Sequence, residues 1–477
     1  MNGDITRDTF DARKHFARVL WQQGRVALDA DSNEQTAILL HYIRTMARDL
    51  MGRHGGPRGE NEGFLISDAP HGDFLISAGH YYVDGILCEN EMLVEGTGLA
   101  TEPETATYLK QPNYPQPPPT PPSGTSLFYL DVWERPISYF CDASIREVAL
   151  GGPDTATRTK VVWQVKFVEG VSTCEQPPFL EPRFQPPWRG LLRARVTDRV
   201  LTTDPCVTSP ESRYRGAENQ LYRVEIHQGV RDLAKPTLDG VTFKWSRDNG
   251  SVCFAIRSLD GSLAELQSLG RDDPHTLNVG DVVEVLDDDS VLHGEPGLLA
   301  QVDQVMTETM TVKLTPKDAS KTLPSYGPSS TNHPFLRRWD YRATDPKLLG
   351  KDGALQLTEG QWLSVEDGIE IQFAQLKVLQ PEAHTENAYR GGDFWLIPAR
   401  VAIGDVEWPP ETDGTGKVVL VDSSDKVVPS GGRPWPQARP PHGVEHHYAP
   451  LALVSGGKVT KVCRYGFDSL SVEEKTP

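Results

Sequence analysis

The sequence predicts a mainly β, multi-domain protein that carries one amphipathic helix near its N-terminus and includes a small β-barrel domain. Three observations support this fold class. The chain has 477 residues, more than one core ordinarily holds, which indicates about two to four domains. Its 42 glycines and 38 prolines form turn clusters throughout the sequence. Several short runs alternate apolar with polar residues, which is the pattern of strands with one buried face.

The first predicted element is a helix in the N-terminal segment. Residues 26–28 are a short β-prone run, and the acidic turn after them contains Ser32 and Gln35, whose spacing has the form of a capping box. We therefore expect the helix to begin at Ser32 and to stop at Gly52. Two interpretations stay open: an ordinary helix packed on its own domain, or a helix that docks on a neighbouring subunit. Apolar residues recur every three or four positions and define one stripe, the interface candidates Leu39, Tyr42, Ile43, Met46 and Leu50.

β-structure is predicted after the helix. Residues 55–63 form a Gly-rich connector, and residues 64–91 have the composition of strands. The proline-rich segment 111–122 cannot pair in the centre of a sheet, and we expect it to run as an exposed polyproline II loop or linker. Beyond it, residues 127–133 and 161–168 are predicted strands, the second with regular alternation of apolar and polar side chains.

Hairpins and the barrel are predicted in the second half of the sequence. Residues 241–250 alternate before an Asp-Asn-Gly turn, and Asn249-Gly250 suits a type I′ hairpin because both residues tolerate a positive φ. Two short strands, 280–286 and 309–314, are joined through Asp-rich and Gly-rich turns and predict the small β-barrel. Residues 357–373 supply another hairpin.

These elements divide the chain into six consecutive segments. No internal repeat of fixed period is visible, so we expect the segments to be structurally distinct. They are an N-terminal strand-helix docking segment (1–55), a small β unit (56–110), a Pro-rich linker or loop (111–124), a central β domain (125–265), a small β-barrel-like domain (266–330) and a C-terminal β domain (331–477).

Charge and composition argue against several classes of protein. Lys and Arg total 48 and Asp and Glu total 66, so the formal net charge of −18 disfavours nucleic acid or an anionic membrane as the partner. No apolar run approaches the roughly 20 residues of a membrane helix and no signal segment opens the sequence, so we expect cytoplasmic assembly and no direct membrane insertion. The six cysteines form no close pair, which argues against a disulfide framework and a structural zinc site.

Two clusters carry side chains of the kind that bind metals. His442, Glu445, His446 and His447 offer ligands suited to zinc or iron. In an extended segment, however, adjacent histidines point to opposite faces, so we expect histidines held by backbone partners. The aspartate triplet 287–289 lacks the alternating order of a calcium loop and is expected to form a solvated turn.

A third group contains charged residues around a loop between two predicted strands. We expect an ion-pair network here, buried or at an interface, since an unpaired buried charge is costly; a catalytic carboxylate pair is the alternative. No nucleophile elbow, Walker loop or dinucleotide-binding loop occurs in the sequence. We therefore expect no catalytic, cofactor-binding or metal-binding residue, and a protein that is not an enzyme. The charged group comprises Glu134, Arg135, Glu147, Asp154 and Arg158.

Several segments together resemble an uncharacterised family associated with phage-tail-like contractile injection systems. The most specific is the opening, with Arg-Asp-Thr-Phe-Asp at 7–11 and the run from Gln22 to Gln35. Local matches recur over most of the chain, at residues 130–135, 147–159, 335–340, 392–400 and 441–453.

The resemblance implies a structural protein of the baseplate, or of a cage around the spike, that acts through subunit–subunit binding. Its partners would be other baseplate or spike subunits, in a homo-oligomer of three-fold or six-fold context, with no nucleic acid bound. Assembly in the cytoplasm and an extracellular location within a released particle are both compatible with this role. The alternative is a glycan-binding or glycan-hydrolysing protein carried on the particle, which tryptophans and acidic pairs would support.

Overall fold

The computed structural model confirms the mainly β fold class, with one long N-terminal helix and a closed six-stranded barrel. The chain divides into two units. Unit 1 comprises residues 8–185 and 444–477, and unit 2 comprises residues 2–7 and 186–443. The structure describes residues 2–59, 62–90, 106–114, 118–121, 123–152, 154–175, 177–181, 184, 190–197, 213–232, 236–328, 330–342, 345–375 and 387–468.

The helices are α1 (Asp29–Met51) and α2 (Asp288–His293). Single 3₁₀ turns lie at Ala12–Lys14, Pro70–Gly72, Ala143–Ile145, Val148–Leu150, Pro178–Leu180, Asp273–His275, Thr307–Thr309 and Pro346–Leu348. The strands, in chain order, are β1 (His54–Pro57), β2 (Ile66–Asp68), β3 (Phe74–Ile76), β4 (Gly79–Val83), β5 (Ile86–Asn90), β6 (Ser126–Ile137), β7 (Arg158–Glu169), β8 (Leu192–Val196), β9 (Gln220–Ile226), β10 (Thr242–Ser246), β11 (Cys253–Asp260), β12 (Leu263–Leu266), β13 (Val282–Leu286), β14 (Leu298–Met306), β15 (Thr311–Pro316), β16 (Phe335–Trp339), β17 (Leu355–Gln356), β18 (Trp362–Ser364), β19 (Ile369–Phe373), β20 (Phe394–Arg400), β21 (Asp405–Val406), β22 (Leu420–Val421), β23 (Val427–Val428), β24 (Arg433–Pro434), β25 (His447–Ser455), β26 (Lys458–Val462) and β27 (Gly466–Phe467).

Helix α1 begins three residues before the predicted start at Ser32, so the predicted capping box is wrong. The N-cap residue is Leu28, and no side chain caps the helix. The carboxamide of Gln35, expected to reach back to Ser32, instead accepts a hydrogen bond from the backbone N–H of Val19 at 2.8 Å. Residues 26–28, predicted as a β-prone run, are not in a strand. Asp29 and Asp31 in the first turn stabilise the start of the helix instead, because negative charge there interacts favourably with the helix dipole.

The end of α1 at Gly52 is confirmed, with a φ of 83° that favours glycine. The predicted connector 55–63 is partly a strand, because its first three residues belong to β1, which pairs with β4 and β27. Its glycines have a packing role: a Cβ atom at Gly56 would lie 2.4 Å from Arg464 and 2.7 Å from the ring of Tyr81. Glycine here lets the strand backbone approach its neighbours closely.

Unit 1 contains two four-stranded sheets, ordered β27-β1-β4-β5 and β26-β25-β6-β7, and the small pair β2-β3. The strands predicted within 64–91, 127–133 and 161–168 are all present. One buried cluster draws side chains from both four-stranded sheets, including Tyr81 of β4 and Trp163 of β7, and the ring of Phe64 meets that of Trp163 edge to face at 4.9 Å.

The proline-rich segment packs on unit 1 where the structure describes it, contrary to the expected exposed linker. Gln111 is 5 % exposed and pairs with the edge strand β7 through its carboxamide, which accepts from Val165 N–H at 2.6 Å and donates to Val165 C=O at 2.9 Å. The side chain of Gln164 donates to the carbonyl of Asn113. Residues 115–117 and 122, also within this prediction, lie outside the described residues.

Unit 2 contains a five-stranded sheet (β17-β10-β9-β20-β21), two three-stranded sheets (β18-β19-β8 and β23-β22-β24) and the closed barrel β11-β12-β15-β14-β13-β16. The predicted barrel strands are present, and the barrel also recruits β11, β12 and β16 from outside residues 266–330. The hairpin predicted within 357–373 is confirmed as the pair β18–β19.

The hairpin predicted at Asn249-Gly250 is wrong, although the turn is present. Both residues have positive φ, 52° and 63°. The strands on either side diverge, because β10 pairs with β9 and β17 whereas β11 pairs with β12 and β16. The turn therefore carries the chain from the five-stranded sheet into the barrel.

A disulfide joins Cys174 and Cys463 in unit 1, a bridge that the sequence analysis, which argued against a disulfide framework, did not predict. The two residues are 289 positions apart in sequence, and the return of the chain to unit 1 brings them together. Both are buried beside Leu127, Phe179 and Leu453. Spacing rules could not detect this pair, since those rules consider close cysteines. Cys206 lies outside the described residues.

We expect the double substitution Cys174→Ser, Cys463→Ser to lower the free energy of unfolding of unit 1 by about 2–5 kcal/mol, because the bridge restricts the unfolded chain. Urea denaturation with and without reductant measures this, with Cys141→Ser as the matched control. Peptide mapping after alkylation without reduction should leave Cys174 and Cys463 unlabelled. Full labelling of both would contradict the bridge.

Candidate assembly surface

One face of α1 is fixed against unit 1. Ala30 and Ile38 are each 1 % exposed. Arg44 forms a two-fold hydrogen-bonded ion pair with Glu134 of β6, at 2.8 and 3.0 Å. The backbone of the helix also approaches the β4–β5 turn so closely that a Cβ atom at Gly85 would lie 2.2 Å from the carbonyl oxygen of Arg44. These contacts hold the helix in a defined orientation.

The opposite face of α1 carries the predicted interface candidates, and all five are exposed. We call this set the apolar stripe. Its exposed fractions range from 52 % to 79 %, for Leu39, Tyr42, Ile43, Met46 and Leu50. The sequence period thus identified one side of the helix correctly, but that side faces away from the core of unit 1. The helix thus packs on its own unit through its other face, and docking of the stripe on a neighbouring subunit stays a prediction.

A second exposed apolar segment precedes the helix, and the sequence analysis missed it. Fourteen of the fifteen residues 14–28, which we call the arm, are exposed. Phe16, Leu20, Trp21 and Val26 are exposed by 55 % to 81 %. The arm lacks the helical or strand periodicity that pattern analysis uses. The composition of the arm could have revealed it: large apolar and basic residues are interspersed there, and acidic residues are absent.

Exposed apolar side chains are concentrated in the arm and α1. In the described part of the chain, 25 large apolar side chains are exposed, and 11 of them lie between residues 16 and 50. Eleven such side chains present on the order of 1,000 Å² of mainly apolar surface, whereas a monomer's largest patch is about 300–600 Å². A patch of this size is typical of a surface that binds another macromolecule.

The histidine cluster does not form a shared site. The ring of His446 stacks on Trp133 at 4.8 Å, and its Nδ1 lies 2.6 Å from a carboxylate oxygen of Asp131. The Nδ1 of His447 lies 3.0 Å from a carboxylate oxygen of Asp84. The predicted backbone partners are therefore wrong for both histidines, since buried or half-buried carboxylates hold them. Among the described residues, no group of three or more His, Cys, Asp or Glu side chains could hold a metal ion.

The other predicted charged groups have structural roles. Asp287 caps α2 in a capping box with Ser290, so the aspartate triplet starts a short helix where a turn was expected. Glu134 pairs with Arg44, and Glu147 accepts from the N–H of Ala149. These contacts replace the single ion-pair network that the sequence predicted around residues 134–158.

Unit 2 contains a buried charged cluster that the sequence analysis also missed. Lys244 on β10 is 1 % exposed, and its Nζ lies 2.7 Å from both carboxylate oxygens of Glu284 on β13. The same nitrogen lies 3.2 Å from His227 Nδ1 and 3.4 Å from Glu225. The indole N–H of Trp339 donates to Glu284 at 2.8 Å. Every hydrogen of the ammonium group thus has an acceptor.

The pKa values in this cluster follow from burial and charge. Burial alone would raise the pKa of Glu284, but its cationic neighbours, Lys244 first among them, and the hydrogen bond from Lys244 together outweigh burial and lower the pKa to about 2. Burial and the same ammonium group lower the pKa of His227 to about 4. Glu284 is therefore charged and His227 neutral at pH 7. This saturated, charge-compensated arrangement joins the five-stranded sheet to the barrel and is structural.

In a comparison with known protein families, one family matches most of the chain. The family described as "Family of unknown function (DUF6519)" matches residues 1–176 and 189–475. No curated protein and no solved structure matches the chain. In the described part of the chain, none of the helices has the length and apolarity needed to cross a membrane.

We expect Glu284→Gln to lower the free energy of unfolding of unit 2 by about 3–5 kcal/mol, because it leaves the Lys244 ammonium buried without its anion. Chemical denaturation measures the loss. The matched control is Glu265→Gln, which breaks an exposed pair with Arg257 at 3.4 Å and should cost less than about 1 kcal/mol. Equal effects of the two substitutions would contradict the structural role of the cluster.

The same cluster predicts an acid dependence of stability. The carboxyl of Glu284 has an ordinary pKa of 4.5, which folding lowers to about 2. Its stabilising contribution is therefore complete above pH 4.5 and is lost as the pH falls towards 2. Unfolding free energies measured across this window should fall more steeply for the wild type than for Glu284→Gln. Parallel curves would exclude Glu284 as a source of the acid sensitivity.

Proposed function

Because the chain belongs to the DUF6519 family, whose function is unknown, we propose from its own residues that it is a structural component of a phage-tail-like contractile injection system. Its place would be the baseplate or a cage around the spike, and it would act by binding other subunits. The observation that carries this proposal is the exposed apolar stripe of α1. The segments that resemble proteins associated with such particles supply the context.

The energetics favour a binding role for the stripe. Complete burial of a Leu, Ile or Met side chain stabilises by roughly 1.5–3 kcal/mol, and the stripe residues are between half and four-fifths exposed. Burying the five together would supply several kcal/mol to one contact. In a particle that repeats each contact by symmetry, contacts of this strength are sufficient, because bound copies hold one another in place.

The contacts that hold α1 against the rest of unit 1 also favour this role. Ile38, the Arg44–Glu134 pair and the close approach at Gly85 fix the helix before any partner arrives. A preformed binding face loses less conformational entropy on association than a flexible one. Partners would be other baseplate or spike subunits in a three-fold or six-fold arrangement, with assembly in the cytoplasm. The Cys174–Cys463 bridge favours a later extracellular stage within a released particle, since disulfides persist in oxidising surroundings.

A glycan-related function is the alternative, and the tryptophans give it little support. Trp339 and Trp395 are at most 2 % exposed. The half-buried Trp362 and Trp408 donate their indole N–H groups to Asp425 and to the carbonyl of Gln437. Rings held in this way stabilise the fold, whereas a sugar platform needs exposed faces. A subunit-binding role accounts better for where apolar surface is exposed.

Incorporation into particles tests the proposal. We expect Leu39→Asp, Ile43→Asp, Met46→Asp to fold, because all three side chains are exposed, and to be absent from purified particles, because charge on the stripe opposes burial. The tagged protein is expressed in its native host, and particles are analysed by mass spectrometry and negative-stain microscopy. Circular dichroism and a thermal melt establish that the variant is folded.

The matched control replaces three exposed apolar residues of unit 1 outside the stripe, Val148, Leu150 and Val462, by Asp. It should be incorporated normally. Normal particles containing the folded stripe variant would refute a docking role for α1. Purification of the wild type without sheath, tube or spike proteins would refute the particle assignment and lead to a glycan screen.

A further inference from the structure

We propose that the arm of one copy of this protein binds the apolar stripe of a second copy, so that the chain self-associates by exchanging arms. This inference rests on the proposed function in one respect, because it takes the stripe to be an interface. It adds that the arm of a second copy is what binds there. Four observations carry it: the conformation of the arm, its charge, its length and its position beside the stripe.

The conformation of the arm lacks support from its own chain. Lys14 ends a 3₁₀ turn, and residues 15–28 form neither helix nor strand apart from a turn at 23–24; Val19 is the one residue of the arm that is not exposed. The backbone N–H of Val19 bonds to the side chain of Gln35. Fixing an extended backbone costs roughly 1–2 kcal/mol per residue in conformational entropy. A partner that covers the large apolar side chains would offset this cost.

The charge of the arm selects an acidic partner. The arm contains Lys14, Arg18 and Arg25 and no acidic residue, a formal charge of +3. The whole chain carries −18, so the remainder carries −18 − 3 = −21. A second copy is therefore strongly acidic towards an incoming arm. Helix α1 itself contains Asp29, Asp31, Glu34 and Asp49 against Arg44 and Arg48, a formal charge of −4 + 2 = −2.

The dimensions of the arm and the stripe agree. The stripe runs from Leu39 to Leu50, about 17 Å along a helix that rises 1.5 Å per residue. Fifteen extended residues span up to about 50 Å, so an arm can follow the whole stripe. The exposed apolar residues of the arm, Phe16, Leu20, Trp21, Val26 and Leu28, are spread over thirteen positions and can contact the stripe along its length.

The arm lies beside the helix that carries the stripe, at one point of contact. Val19 is bonded to Gln35, which precedes Leu39 by one helical turn and lies on the same side of α1. Two copies that exchange arms would therefore bury both exposed regions in one contact. The combined apolar area, on the order of 1,000 Å² per copy, matches the roughly 800 Å² per partner of a stable protein interface.

Analytical ultracentrifugation of the purified full-length protein tests the exchange. The arm variant is Leu20→Asp, Trp21→Asp and the stripe variant is Ile43→Asp, Met46→Asp; the control is Val279→Asp, Ile403→Asp, exposed residues of unit 2. We expect the wild type and the control to self-associate, with an affinity that falls as salt rises because the arm is basic. Each variant alone should associate at least tenfold more weakly.

The decisive measurement is an equimolar mixture of the two variants. The stripe variant retains an intact arm and the arm variant retains an intact stripe, so arm exchange predicts that the mixture forms a heterodimer that neither variant forms alone. A mixture that remains monomeric overturns the exchange. A wild type that remains monomeric, or variants that associate as the wild type does, also overturns it.

The outcome separates this inference from the proposed function. A protein that self-associates through the arm but never enters a particle refutes the particle assignment alone. A protein that enters particles but is monomeric when purified refutes the arm exchange alone.

Discussion

Unit 1 depends on one long-range pairing, that of β6 with β25. These strands lie in the middle of their four-stranded sheet, and the chain between them contains all of unit 2 apart from residues 2–7. The same return of the chain brings β27 beside β1 and Cys463 beside Cys174. The entropic cost of closing a loop grows only slowly with its length, so an inserted unit adds little to the cost of this pairing. A two-unit fold with a divided first unit is the result.

Unit 2 depends on a different kind of contact. Its five-stranded sheet and its barrel share a buried cluster in which Lys244 and Glu284 face each other from β10 and β13. Burying both charges is costly, and the indole of Trp339 and the neighbouring His227 supply the additional hydrogen bonds that such a pair requires. The Asn249-Gly250 turn, which directs the chain from one of these elements into the other, is the local feature that makes the contact possible.

Local patterns predicted local structure, and their failures have a common cause. The strands, the barrel, the end of α1 at Gly52 and the side of α1 that carries the stripe all follow from the period of apolar residues or from turn chemistry. The partners of β10 and β11, the Cys174–Cys463 bridge and the burial of Lys244 depend on segments far away in the sequence. The arm was missed for another reason, because it forms no helix or strand beyond Lys14 and therefore shows no periodicity.

The contrast between the interior and the N-terminal surface indicates where function lies. Lys244, Asp131 and Gln111 are polar groups that the fold buries, and each has intrachain partners of matching charge or hydrogen-bonding capacity. Burying such groups is costly, and their hydrogen bonds and ion pairs are made within the chain. This arrangement indicates a role in stability and not in catalysis. The stripe and the arm show the opposite arrangement, since their large apolar side chains are exposed. Exposed apolar side chains in the stripe and the arm, beside buried polar groups that have partners, favour the proposed binding role of this surface. We therefore infer that the surface most relevant to function is the one formed by residues 14–50.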